Sequence, residues 1–202
     1  MSNEELWQLF PIILSAHDRD WPKRYETEKD RLVKAIGAEN IVRISHIGST
    51  SVPGLTAKPT IDILLEIQQK TDLARLIPTI EAEGYIYSPQ PGNPPPHMMF
   101  MKGYTPEGFK GQAFHLHIRY SGDWDEHYFR DYLLSHPDTA QAYGELKVKL
   151  QKEYEHDRDG YTDAKTGFIR EITNRAKEQI THPSKTESHR TAYRPNPRCG
   201  MT

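Results

Sequence analysis

The run Ile44-Ser-His-Ile-Gly-Ser-Thr-Ser-Val-Pro-Gly-Leu-Thr-Ala-Lys-Pro-Thr-Ile-Asp-Ile-Leu-Leu-Glu66 constrains the chain more than any other. It reads as a strand, a Gly-Ser turn, a short connector and a second strand that carries a carboxylate out of an apolar stretch. Gly48 lacks a Cβ, so its backbone can approach a ligand closely. Ser49, Thr50 and Ser51 add hydroxyls and backbone N–H groups, which suit an anion such as phosphate. Side chains alternate along a strand. Ile61, Ile63, Leu65 and Ile67 therefore share one face, which must be core, while Thr60, Asp62, Leu64 and Glu66 share the other. A charged group in so apolar a strand needs a partner. Two readings of Asp62 carry equal weight on spacing alone: a strand-end carboxylate bonded to a neighbouring turn, and a metal ligand.

The rest of the chain alternates helical and strand-like patterns. Asp20 is placed to cap a helix opened by Trp21-Pro22. Tyr25, Leu32, Val33 and Ile36 give it an apolar stripe, and Gly37 ends it. Strands are predicted at about 41–47 and 60–67, a helix at about 70–83, and strand-like runs near 85–88, 97–103 and 113–120. The stretch Ser88-Pro-Gln-Pro-Gly-Asn-Pro-Pro-Pro96 cannot be regular structure. It reads as a surface loop, with a mobile flap over a site as the rival. From about 124 the pattern turns helical. One helix carries Tyr128, Tyr132 and Leu133 and stops near His136-Pro137. A second is capped by Asp138 and carries Ala142, Leu146 and Leu150. A third spans about 162–180 with Phe168, Ile169, Ile172 and Ala176. Residues 182–202 hold almost no apolar side chains and read as a disordered tail, or as a segment ordered only by a partner.

Composition narrows the function. With 202 residues the chain fits one domain, residues 1–181, followed by the tail. Lys plus Arg is 26 against 28 for Asp plus Glu, a balance that argues against a dedicated nucleic-acid binder but leaves room for a local basic pocket. Cys199 is the single cysteine and cannot form an intramolecular disulfide. The N-terminus has no basic, apolar leader pattern and no stretch approaches a membrane span, so a soluble, cytoplasmic protein is expected.

Two further constellations could carry chemistry. His115-Leu-His117 in a strand would aim both imidazoles to one face, able to chelate a metal or grip a phosphate; a polar strand surface is the rival reading. In Phe129-Arg-Asp-Tyr-Leu-Leu-Ser-His136, Arg130 offers a planar fork for phosphate or carboxylate, or forms a surface ion pair with Asp131. Lys147 and Lys165 sit on later helices, where solvated charge is the default. There is no Walker loop and no Gly-x-Gly-x-x-Gly motif.

Taken together, His46-Ile-Gly-Ser-Thr-Ser-Val-Pro-Gly54, Ala57-Lys-Pro-Thr-Ile-Asp-Ile63, His115-Leu-His117, Phe129-Arg-Asp-Tyr-Leu133, Ala142-Tyr-Gly-Glu-Leu-Lys147 and Tyr161-Thr-Asp-Ala-Lys165 resemble the GrpB family over roughly residues 15–180. That family is grouped by resemblance with the nucleotidyltransferase superfamily, the fold of polymerase beta. The implied fold is α/β (α+β): a mixed, partly antiparallel sheet flanked by helices, with a helical C-terminal part. Some chains of the family are fused to dephospho-coenzyme A kinase. The superfamily pattern is a Gly-Ser turn, two carboxylates two residues apart on a strand, and a third on a later strand. Gly48-Ser49 and Asp62 match, but the second carboxylate position is Leu64, and the third falls where this chain has His115 and His117. Histidine suits manganese or zinc better than magnesium.

The resemblance implies a nucleoside triphosphate as substrate and a divalent metal, magnesium or manganese. Asp62, His115 and His117 are the candidate metal ligands. Asp62, Lys58 and Arg130 are the candidate catalytic residues, and His46, Gly48, Ser49, Thr50, Lys147 and Lys165 the candidate nucleotide-binding residues. The leading expectation is transfer of a nucleotidyl group to a small-molecule or protein hydroxyl. Its rivals are a catalytically silent nucleotide- or phosphate-binding module linked to coenzyme A synthesis, and a metal-dependent phosphoester hydrolase using the histidine pair. A phosphate-bearing small molecule is the expected partner and a homodimer is open; membrane and nucleic acid are not expected.

Overall fold

The structure is a computed structural model that describes residues 8–90, 92–93 and 96–181. The predicted disordered tail lies outside the described residues. Among the described residues, five strands form one mixed sheet: β1 (Ile41–Ile47), β2 (Thr60–Ile67), β3 (Ile86–Ser88), β4 (Met98–Thr105) and β5 (Gly108–Tyr120). Their spatial order is β1-β2-β5-β4-β3. The β2/β5 pair is parallel, and β1/β2, β5/β4 and β4/β3 are antiparallel. The helices are α1 (Trp21–Ile36), α2 (Leu73–Ala82), α3 (Asp125–Ser135), α4 (Pro137–Glu153) and α5 (Arg158–Thr181). This is the α+β arrangement expected from the sequence.

Helices α1 and α2 cover one face of the sheet. Trp21, Leu32, Leu76 and Ile80 pack with Ile61, Ile63, Leu65 and Ile67 of β2 and with Phe100, Leu116 and Ile118 of β4 and β5. The four β2 side chains are all fully buried, as the alternation predicted. Each contributes about 1.5–3 kcal/mol relative to an exposed position. A separate apolar cluster joins α3, α4 and α5 through Phe129, Leu133, Ala140, Tyr143 and Ile172, and takes in Val52 and Leu55 from the β1–β2 connector.

Several local details differ from the predicted ones. Asp20 occupies the cap position of α1 without a side-chain capping bond; its backbone N–H instead donates to Asp18 Oδ1. Asp72 caps α2, accepting from the Ala74 N–H at 3.0 Å. α4 begins at Pro137 rather than after Asp138, so Asp138 lies in its first turn and His136 takes the cap position. An acidic residue there still complements the helix dipole. β5 starts at Gly108, earlier than the predicted 113, because Thr105 and Tyr104 pair back across a tight turn with Gly108 and Phe109. The Gly- and Pro-containing stretch there reads locally as loop; cross-strand pairing makes it strand. Within the described part of the proline-rich loop, Pro89, Gln90 and Asn93 line a cleft beside Leu73, Ile77 and Tyr87 on the α2 side. They do not border the cavity described next.

Candidate metal and phosphate site

The second face of the sheet meets the C-terminal helices across a cavity of about 680 Å³. It is built first from the turn after β1. Gly48 adopts φ +70, and a Cβ there would collide with the Asp62 carboxylate. The following 3-10 turn, Ser49–Ser51, is pinned by Ser51 Oγ donating to Gly48 O at 2.6 Å. Turn and carboxylate therefore lie in contact, which only glycine permits.

Parallel pairing sets Asp62 opposite His115 and Leu64 opposite His117. Asp62 Oδ1 lies 3.3 Å from His115 Nδ1 and 3.9 Å from His117 Nε2. One donor atom from each of Asp62, His115 and His117 falls within 4.8 Å of the others, a spacing that a single divalent ion can bridge. A carboxylate with two imidazoles fits manganese or zinc better than magnesium. Burial by itself would raise the Asp62 carboxyl, but the two imidazoles beside it outweigh that and hold it well below the usual carboxylate range. Burial lowers His115. Asp62 thus combines parts of both sequence readings: it abuts the turn, and it belongs to a potential ligand set.

Three lysines line the same cavity. Lys147, 2% exposed, donates from Nζ to Ser49 Oγ at 2.9 Å and to Thr56 O, tying α4 to the Gly-Ser turn. Lys165 Nζ sits 4.2 Å from the Tyr161 ring centre, and Lys58 Nζ lies 5.6 Å from that same ring. Burial, then the charges of Lys165 and Lys58, bring Lys147 down to about 7. Burial and Lys58 bring Lys165 down to about 7, and burial and Arg158 bring Lys58 down to about 8. Solvation is the default for helix lysines such as Lys147 and Lys165, although the family resemblance named both as binding residues and Lys58 as catalytic; their crowding in a shared, desolvated space is a tertiary effect.

Other predicted residues lie elsewhere. His46 faces α1, stacked on Tyr25 with ring centres 4.7 Å apart, and its Nε2 is 2.9 Å from Thr50 Oγ1. It braces the turn from behind, and burial pulls it down to about 4. Arg130 donates from Nε to Asp131 Oδ1 at 2.7 Å and from Nη1 to His46 O at 3.1 Å. Neither His46, Thr50 nor Arg130 lines the cavity. Glu66, 1% exposed, is a structural anchor at the far end of β2, bonded to Arg43 and accepting from the Gly122 N–H at 3.1 Å.

The sequence reading passed over Tyr161, Tyr143 and Tyr104. Tyr161 is fully buried, lines the cavity, and its hydroxyl has no hydrogen-bond partner among the described residues. Tyr161, Lys165, Ile169 and Thr173 recur at every fourth position and all line the cavity. That row was the available signal: it marks a helix face distinct from the apolar stripe through Phe168 and Ile172.

The model of the family described as GrpB protein matches residues 11–175. The chain belongs to the GrpB family. A UPF0157 protein of Pseudomonas aeruginosa is 37% identical over 167 residues, covering 82% of this chain and 68% of its own length. The crystal structure of the conserved protein GrpB from Enterococcus faecalis superposes with a TM-score of 0.73 at 31% identity, covering 84% of this chain and 100% of that one. A dephospho-CoA kinase of Mycolicibacterium paratuberculosis is 26% identical over 192 residues, which cover 82% of this chain but 46% of that protein. Among the described residues, no helix is long and apolar enough to cross a membrane.

Proposed function

We propose that this GrpB-family protein is a metal-dependent nucleotidyltransferase that moves a nucleotidyl group from a nucleoside triphosphate to a small-molecule or protein hydroxyl. One observation carries the reading: a carboxylate–imidazole donor set and three lysines share a single cavity. Lysines forced together lose protons, and a polyphosphate is the ligand that reverses this by supplying negative charge. Asp62, His115 and His117 would hold one divalent ion. Bound there, the ion supplies Lewis-acid polarisation of a phosphoryl oxygen.

The chain's own groups do the rest. Ser49, held by Lys147, and the adjoining Gly48 line the cavity where the phosphates would sit. Lys58, Lys147 and Lys165 offset the charge that accumulates on the leaving pyrophosphate as the acceptor oxygen attacks the α-phosphorus. Tyr161 and Tyr143 wall the lysines with ring faces, which supports cations in a dry site.

A second reading has its own support. Leu64, fully buried, stands where a second carboxylate would be needed for a two-ion site. This favours a nucleotide- or phosphate-binding module without turnover, and the likeness to a dephospho-CoA kinase supports a link to coenzyme A synthesis. Incubation with manganese and each nucleoside triphosphate, followed by phosphorus NMR, separates the readings. Pyrophosphate release that depends on an added acceptor supports transfer. A raised melting temperature without any phosphate product supports the binding module. Absence of both thermal shift and product overturns both.

A further inference from the structure

β4 breaks its alternation at one residue, and the break changes what stands behind His115. Lys102 pairs with Phe114 and sends Nζ to Glu28 Oε1 of α1 at 2.6 Å, so it faces the apolar-core side. Two residues on, a regular strand would return Tyr104 to that side. The register slips instead between Lys102 and Tyr104. Gly103 occupies the slip at φ +87, and a Cβ there would lie 2.7 Å from Gln112 O, so the position is closed to any other residue without movement. Tyr104 is thereby turned to the cavity side. Its ring stacks on His115 with centres 5.7 Å apart and planes 17° apart, and its hydroxyl lies 2.7 Å from His115 Nε2. Phe10 and Phe109 hold the ring, with centres 5.2 Å and 5.1 Å away.

We infer that Tyr104 is a positioning residue that occupies His115 Nε2 and presents His115 Nδ1 as the metal-facing atom, and that the register break at Gly103 exists to deliver it. The inference rests on the metal reading of the Asp62–His115–His117 set. An imidazole nitrogen must offer a lone pair to a cation, and the other nitrogen then carries the proton. With Nε2 engaged by Tyr104, that proton is donated to the phenol oxygen and Nδ1 is free for the ion. Without an ion, Nδ1–H donates towards Asp62 and Nε2 accepts from the Tyr104 hydroxyl. A hydroxyl both donates and accepts, so one residue serves both states while the ring stays fixed. His117 differs: its Nε2 is the nitrogen facing Asp62. The two histidines therefore present different nitrogens, and the aromatic stack on His115 enforces the less symmetric arrangement.

The test is Tyr104→Phe, which keeps the stack and removes the hydroxyl, with Met101→Leu as a control on the same strand face. Cobalt(II) is titrated into each protein while its visible spectrum is recorded, and the His115 tautomer is read by long-range nitrogen NMR in the metal-free protein. Wild type and Met101→Leu are expected to bind alike. Tyr104→Phe is expected to lose about 10–100-fold in cobalt affinity, as removal of a ligand's outer partner does. Its cobalt spectrum should change and its His115 nitrogens should report mixed tautomers, at nearly unchanged melting temperature. Wild type that binds cobalt no better than Tyr104→Phe, with one unchanged tautomer, overturns this inference alone. Wild type that binds no cobalt overturns the metal reading, and this inference with it.

Discussion

The two faces of β2 are built to opposite ends. On one, Ile61, Ile63, Leu65 and Ile67 are fully buried under α1 and α2. On the other, Thr60 and Asp62 open onto a cavity with two histidines and three lysines, and Leu64 and Glu66 continue into packed structure. The first face makes the fold; the second holds charges whose desolvation opposes folding. The contrast teaches where stability and ligand recognition separate in one eight-residue strand. A residue's role changes with each step of the pleat.

The largest expected effect tests the first face. Ile63→Ala should cost about 2–5 kcal/mol of stability in denaturant unfolding, as large-to-small core changes do. Its neighbour Asp62→Asn should cost no more than about 1 kcal/mol, yet abolish cobalt and manganese binding. Equal stability losses for the two variants would erase the distinction between the faces.

Next comes pH. The folded-state values of Lys147, Lys165 and Lys58, about 7, 7 and 8, lie below the usual lysine range because burial disfavours their charge. Between pH 7 and 10 the unfolded chain binds more protons than the folded one, so stability should rise with pH across that window. Pyrophosphate binding should run the other way, strengthening as pH falls from 9 to 7. Calorimetry in buffers of different ionisation heat should detect proton uptake on binding. Pyrophosphate affinity that is flat over this range would mean that the lysines are not the anion's partners.

The smallest effect concerns a residue between the faces. Arg130 is bonded to His46 O at the back of the turn and lies outside the cavity lining. Arg130→Ala should lower stability by about 0.5–1.5 kcal/mol and leave cobalt affinity unchanged. A tenfold loss of cobalt affinity would place it functionally with the second face.

Much of the frame was legible from local pattern. The alternation in 60–67 marked the core side of β2, and the spacing of His115 and His117 put both on one face, because both signals act within a few residues. Lys147 and Lys165 entered the candidate site only through the family resemblance: by local pattern a lysine on a helix is solvated unless something distant covers it, and what covers these is the turn at Ser49 and the ring of Tyr161. Tyr104 was hidden for another reason. Its direction depends on a break in the β4–β5 register at Gly103, a position packed against the backbone of Gln112 on the next strand. His46 looked like part of the site because it sits beside Gly48 in sequence, yet one step of the pleat turns it to α1.

The sequence by itself determined the glycine turn at Gly48, the apolar face of β2, the paired histidines and the family to which the chain belongs. Only the tertiary structure decided that β5 lies parallel beside β2, so that Asp62 meets His115, and that α4 and α5 bring their lysines over the same carboxylate. The physical reason is range. Steric and periodic preferences act between neighbours in the chain, whereas strand register, desolvation and the meeting of charges depend on residues as far apart as Ser49 and Lys147.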